Sequence, residues 1–285
     1  MKVALDPLML GRHDVDTVCR IAAESGFRYL ELSPRADFLP SRTEPRADAQ
    51  QVEALRHALR AHDVELASLW TVYRWSDPDD AAARVDAVRY WRRAVEVAIA
   101  LGCRNLNSEL SGDPDEPELS RAAFLQSMSE LVPLFEREGL TMSIEAHPGD
   151  FIETNDAAVD LLRGLNSPSI RYLFCAPHTF HLGADVEAML RYAAPVLAHV
   201  HVADTYDHTK PLRYIVNPAG STVRIHQHLD IGQGEVPWDI FFQTLRSIGF
   251  DGIMTSSVFA WPDRAEDSCR VMRAEMQRYI DRYWS

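Results

Sequence analysis

The sequence predicts an α/β protein built as a single eight-stranded parallel (β/α)8 barrel, with a long loop after the seventh strand. Three observations predict it. Apolar strand-like runs alternate with amphipathic helical stretches eight times along 285 residues, and continuous apolar strands between helices call for a parallel sheet covered by those helices. Eight units in this length fit a closed barrel, which typically takes about 250 residues, whereas an open doubly wound sheet uses fewer units. No Gly/Ser-rich or Pro-rich stretch stands as a linker, so residues 1–285 read as one domain.

The elements follow in order. VALD, ending at Asp6, is the first strand; a helix from Asp14 to Ser25 starts behind a capping Asp and stops at Gly26. YLEL (Tyr29 to Leu32) precedes a helix near Ala47–His62, and VELASLW (Val64 to Trp70) precedes one from Asp80 to Leu101, stopped by Gly102. The short RNLN from Arg104 is the fourth strand, with a helix near Leu119–Glu138. LTMSIE (Leu140 to Glu145) leads to a helix near Asn155–Leu165, and IRYLFC (Ile170 to Cys175) to one near Ala184–Ala194. LAHVHVAD holds the seventh strand, whose helix is delayed to Pro237–Ile248. GIMTSS from Gly252 and a helix near Glu266–Tyr283 close the series. The connection from Asp204 to Val236 far exceeds usual loop lengths, as active-site lids and binding segments do; oligomer contacts are the other use for it.

Composition narrows the partners. With 29 Lys+Arg against 42 Asp+Glu the net charge is −13, which repels phosphodiester backbones and anionic membranes. No stretch approaches the ~20 apolar residues of a membrane span. The start, MKVALDPLMLGRHD, meets Asp6 too early for a signal-peptide core. Cys19, Cys103, Cys175 and Cys269 form no CxxC pair, as expected of thiols in a reducing cytoplasm.

In such a barrel the chemistry sits at the C-terminal ends of the strands. Those ends carry Glu31, Trp70, Asn107 with Glu109, Glu145 with His147, Cys175 with His178, His201, and Ser256 with Ser257; the long loop adds His226 and His228. Imidazoles and carboxylates gathered at one mouth suit a divalent metal. His199 and His201 share a strand face, and the later one reaches the rim, so His201 is expected as ligand and His199 as a buried hydrogen-bonded group. Glu145 closes an apolar strand, where a carboxylate needs a metal, a cation or a proton. Cys175 reads as a small buried residue. Trp70, Tyr73 and Trp75 could wall a polyol ring or simply pack, and His57 and His62 lie on a solvent-facing helix.

The segments YLELSPRADFLP, EAHPGDFIE, PHTFHL, ADTYDH, LRYIVNP, HQHLDIGQGEV and DGI followed by VFAW resemble the sugar phosphate isomerase/epimerase superfamily, the xylose-isomerase-like TIM barrels that include the endonuclease IV group. Within it they resemble the IolH type of inositol-catabolism protein most. The resemblance spans essentially the whole chain. It implies a divalent cation and a polyol, a keto-sugar or their phosphates. It also implies four ligands: a Glu after strand five, an Asp three residues before a His after strand six, a strand-seven His and a Glu ending strand eight. Glu145, His178 and His201 match. Cys175 takes the place of the Asp, and Ser256 or Ser257 that of the last Glu. The set is then expected to be rebuilt from Glu145, His178, His201 and His228 with His226 nearby, and one carboxylate among imidazoles favours Mn, Co, Fe or Zn over Mg.

The expected reaction is proton abstraction next to a carbonyl, with His147 or His178 as base, Glu109 as second candidate and Glu145 both catalytic and ligating. Trp70, Glu31, Lys210 and Arg213 are the expected substrate contacts. Two alternatives stay open: a lyase that eliminates a group from a 3-keto sugar, and a barrel that binds a sugar without catalysis.

Overall fold

A computed structural model describes residues 1–35, 48–180, 185–206 and 227–284, with the backbone of 212–213 and 222–223. Eight strands, β1 (Lys2–Leu5), β2 (Tyr29–Leu32), β3 (Glu65–Trp70), β4 (Asn105–Glu109), β5 (Thr141–Glu145), β6 (Ile170–Cys175), β7 (Leu197–Val202) and β8 (Ile253–Ser256), close into a ring. Every neighbouring pair is parallel, and β8 pairs with β1 through Leu5 and Ser256. The expected (β/α)8 barrel is therefore the observed one.

Eight helices cover it: α1 (Val15–Glu24), α2 (Ala49–Ala61), α3 (Ala83–Leu101), α4 (Pro117–Glu138), α5 (Asn155–Gly164), α6 (Val186–Ala193), α7 (Trp238–Ser247) and α8 (Ala265–Trp284). The Asp14 side chain caps α1 by accepting from Thr17 N at 2.8 Å, and Gly102 ends α3 in the left-handed conformation. The expected start of α3 at Asp80 shifts to Ala83, because the Asp80 carboxylate accepts from Ala82 N and holds a turn there. A one-turn helix, Ala176–Thr179, follows β6 directly. Periodicity does not reveal it, and it carries His178. Among the described residues no helix is long and apolar enough to cross a membrane.

The barrel interior is layered. Ala4, Ala67 and Ile253 form a small apolar plug with Tyr29 packed against it. Along β7 and β8, His199 is in register with Ile253 and His201 with Thr255, so a buried imidazole already stands beside the plug and the next pair up is polar on both strands. Strand residues two apart share a face, which lifts His201 from His199 and Asp6 from Ala4 toward the mouth. Outside the ring, Tyr73 and Trp75 are buried in the helix-covered core, Trp75 stacked on Trp91 at 6.2 Å, so they pack and do not wall a substrate.

The long excursion after β7 is fastened at its neck. The main chains of Asp204 and Leu229 exchange two hydrogen bonds of 2.8 and 2.9 Å. The Asp204 carboxylate accepts from Thr205 N, Gly232 N, Val236 N and Trp238 Nε1 at 2.7–3.1 Å. A side chain at Gly234 would run into the Thr205 carbonyl and this carboxylate, and Gly232 has φ +88°. Both glycines of the GQGEV segment are thus demanded by close approach or a left-handed turn.

Candidate metal and active site

At the C-terminal end of the barrel a cavity of about 200 Å³ is lined by Trp70, Glu109, Glu145, His147, His178, His201 and His228, with Asp6, Leu8, Ser33, Ser257 and Phe259 completing its wall. Seven residues chosen from sequence therefore meet in one space. His226 and Lys210 lie outside the described residues, and so does the side chain of Arg213.

Glu31 does not line the cavity. Its buried carboxylate accepts from Ser68 Oγ at 2.6 Å and from Asn107 Nδ2, and lies 2.8 Å from His201 Nε2 and 3.3 Å from His199 Nε2. The substrate contact expected of it gives way to an orienting role beneath the floor, since both oxygens are consumed by neighbours. His199 is the buried, hydrogen-bonded residue expected, bonded to Asn107 and to Thr255 Oγ1 at 2.7 Å; burial lowers its pKa to about 4, so it stays neutral.

The hydrogen-bonding roles of the other imidazoles follow from their partners. The Ser257 carbonyl, 2.5 Å from His228 Nδ1, can only accept, so that nitrogen carries the proton. Burial lowers the His228 pKa to about 3, which leaves Nε2 as an acceptor. His178 Nε2, 3.1 Å away, then donates to it, and His178 Nδ1 faces Glu145 Oε2 at 3.2 Å. His201 donates Nε2–H to Glu31 and turns Nδ1 toward the same Glu145 oxygen at 3.5 Å. Glu145 is 1% exposed, and its Oε2 and His201 Nδ1 lack a well-aligned hydrogen-bond partner. Glu145 Oε2 and His201 Nδ1 thus face each other as acceptors, an arrangement that costs free energy until a cation or a proton enters it.

Burial opposes charge on His201, but Glu31 and Glu145 overcome it and raise its pKa well above the usual range. A proton therefore occupies the place when nothing else does. The Cys175 thiol, grouped with Glu145 and His201 and also with His178 and His228, is pushed up to about 12 by burial and by Glu145. Imidazole, carboxylate and sulfur donors together fit a borderline divalent ion. Glu145, Cys175 and His201 would hold it, or Cys175, His178 and His228 beside them, since each of these groups keeps its donor atoms within 4.8 Å of one another.

A second cluster forms the cavity rim. His147 lies 3.9 Å from Glu109 and 3.7 Å from Asp150. Burial, then the Glu109 charge, raises the Asp150 pKa from 3.8 to about 7. A carboxylic acid whose folded pKa is raised contributes its full stability below the unfolded value and loses it as pH rises to the folded value. Asp150→Asn is therefore expected to melt like the parent near pH 4 and to be more stable by about 1–3 kcal/mol at pH 8. Thermal melts across that range check this, and a constant difference with pH contradicts it.

Asp6, Ser33, Asp150 and Phe259 were not anticipated from sequence. Phe259 stacks on His228 with ring centres 4.0 Å apart. Asp6 had a readable signal, as a carboxylate placed directly after the apolar run of β1.

The sequence pattern of the xylose isomerase-like TIM barrel family matches residues 19–275. An inosose isomerase of Bacillus velezensis is 19% identical over 274 residues, covering 93% of this chain and 91% of its own. One of Bacillus licheniformis is 21% identical over 169 residues, 58% of this chain, and the match spans 57% of that relative's length. Both agree with the superfamily resemblance read from the sequence. An IolI protein whose crystal structure holds a zinc atom has the same fold, with a TM-score of 0.78 and 16% identity over 100% of both chains. With its closed barrel and that match over most of its length, the chain belongs to the xylose isomerase-like TIM barrel family.

Proposed function

We propose that the protein is a metal-dependent isomerase or epimerase acting on an inositol- or sugar-derived keto compound by proton abstraction next to the carbonyl. The convergence of Glu145 Oε2 with the Nδ1 atoms of His178 and His201, at 3.2 and 3.5 Å, carries this reading. The inosose isomerases support the substrate class, and the zinc-bearing IolI protein supports a divalent ion.

A bound divalent ion polarises a carbonyl and acidifies the neighbouring C–H. The chain's own residues do the rest. Glu31 fixes the His201 ring and tautomer, and Ser257 fixes those of His228 and, through it, His178. Trp70 offers an apolar face to a ring substrate. His147 is the imidazole best placed as base, because it sits at the rim beside Glu109 and Asp150 while His178 is held between Glu145 and His228.

The test is metal analysis and inosose turnover of protein purified without chelator. About one divalent ion per chain is expected, chelation abolishes turnover, and Mn, Co, Fe or Zn restore it better than Mg. His201→Ala lowers metal content. Because a proton and the ion compete for His201 Nδ1, apparent metal affinity is expected to fall as pH falls. A parent protein that binds no metal, or one that turns over equally well after chelation, overturns the reading.

A further inference from the structure

The base of the reading above and the two glutamates beside it stand on one side of the cavity. Glu109, Glu145 and His147 come from β4, β5 and the loop behind β5. β1 is four strands from β5 in either direction around the ring, so it is diametrically opposite. Its end carries Asp6, which lines the same cavity and is 7% exposed.

The Asp6 carboxyl is built in, not dangling. Oδ1 accepts from Leu8 N at 3.0 Å and from the Ser33 hydroxyl, and Oδ2 accepts only the long 3.4 Å contact of the Ser257 hydroxyl, which can turn to accept instead. Two donors on Oδ1 leave Oδ2 as the oxygen that can carry a proton. The charged groups facing Asp6 are Glu31 of β2, which raises its pKa, and His201 of β7, which lowers it; burial is the largest cause of a net rise from 3.8 to about 7.

Resting on the proposed keto-polyol function, we propose that Asp6 is the second acid–base group of this cavity, serving the substrate face opposite to Glu145 and His147 and so allowing inversion at the carbon next to the carbonyl. The balance is simple. A base on the β5 side takes the carbon-bound proton, the C–H electron pair becomes the C=C bond of an enediolate, and the carbonyl oxygen takes the charge. The carbonyl then re-forms, the C=C pair makes a new C–H bond on the other face, and the proton comes from Asp6 Oδ2. Solvent exchange restores both groups, and the reverse reaction swaps their roles. No oxidant, reductant or further reactant is needed.

The experiment uses the metal-loaded protein and inosose in D2O, followed by NMR. Asp6→Asn keeps the shape of a protonated Asp6. It is expected to retain exchange of the substrate's carbon-bound proton within about fivefold, while formation of the inverted product falls by about 10²-fold or more. Product formation within about fivefold of the parent overturns the assignment, and so does equal loss of both readouts in a folded variant. If Asp6→Asn is recovered unfolded, Ser33→Ala, which frees one donor from Oδ1, must show the same split in weaker form or the assignment fails. A parent protein that neither exchanges nor converts inosose overturns the underlying function, a result visible before any Asp6 variant is made.

Discussion

Glu145→Gln lowers inosose turnover by about 10³-fold and strips the protein of its divalent ion, while its melting temperature holds or rises relative to the metal-free parent. The first two outcomes follow from the converging acceptors: an amide brings no charge, and its NH2 donates into the place between the Nδ1 atoms of His178 and His201. General acid–base and metal effects of this kind are each worth about 10²–10⁴ in rate. The third outcome is the informative one. A buried carboxylate with an unsatisfied oxygen is held there at a cost to stability, so relieving it does not weaken the fold. Metal content, single-turnover rates and a melt on one preparation check all three. A variant that keeps its metal and runs within tenfold of the parent sinks the assignment of Glu145.

Glu31→Ala is expected to be the most damaging change to stability among the polar residues of the barrel. It removes a carboxylate that holds Ser68, Asn107 and His201 and adjoins His199, all buried. Breaking a buried charged network by deleting one partner costs about 3–5 kcal/mol, which at about 2–4 °C per kcal/mol lowers Tm by roughly 10 °C. The pH dependence has a definite sign. In metal-free protein the raised pKa of His201 means that its pairing with Glu31 stabilises the fold at low pH and is lost as pH rises through the folded value. Glu31, whose own pKa is lowered, must stay ionised for this pairing, so the variant's deficit is largest in mildly acidic solution and shrinks toward both strong acid and alkaline pH. Glu31→Gln, which keeps one acceptor, recovers part of the loss. A deficit below about 1 kcal/mol, the scale of a single neutral hydrogen bond, would show that the network is not coupled.

These two glutamates also show what the sequence could and could not disclose. Both end short apolar strands, and that alone marks them as carboxylates in need of partners. Periodicity locates the eight strand ends, and the barrel architecture sends those ends to one mouth, so Glu145, His178, His201 and His228 were readable together. Height along the strand was legible for His199, expected beneath His201, but not for Glu31, whose carboxylate is taken up by Ser68, Asn107 and His201 beneath the cavity. Tyr73 and Trp75 follow β3 closely enough to be taken for the mouth, yet their rings turn outward among the helices. Asp150 carries no pattern of its own and gains meaning from a loop that brings it to His147, whereas Asp6 closes an apolar run but gains its place only from the closure that sets β1 opposite β5.

The three-fold grip of the Asp204 carboxylate on the far side of the excursion has an evolutionary corollary. Because Asp204 to Thr205 and Leu229 to Trp238 are tied to each other, the barrel meets the intervening chain at two fixed points already held together. Lengthening what lies between such points adds only about 0.6 kcal/mol of closure entropy per doubling. That segment can be exchanged, like a tool in a chuck, and new substrate preferences can be tried there without reopening the frame that holds the catalytic groups.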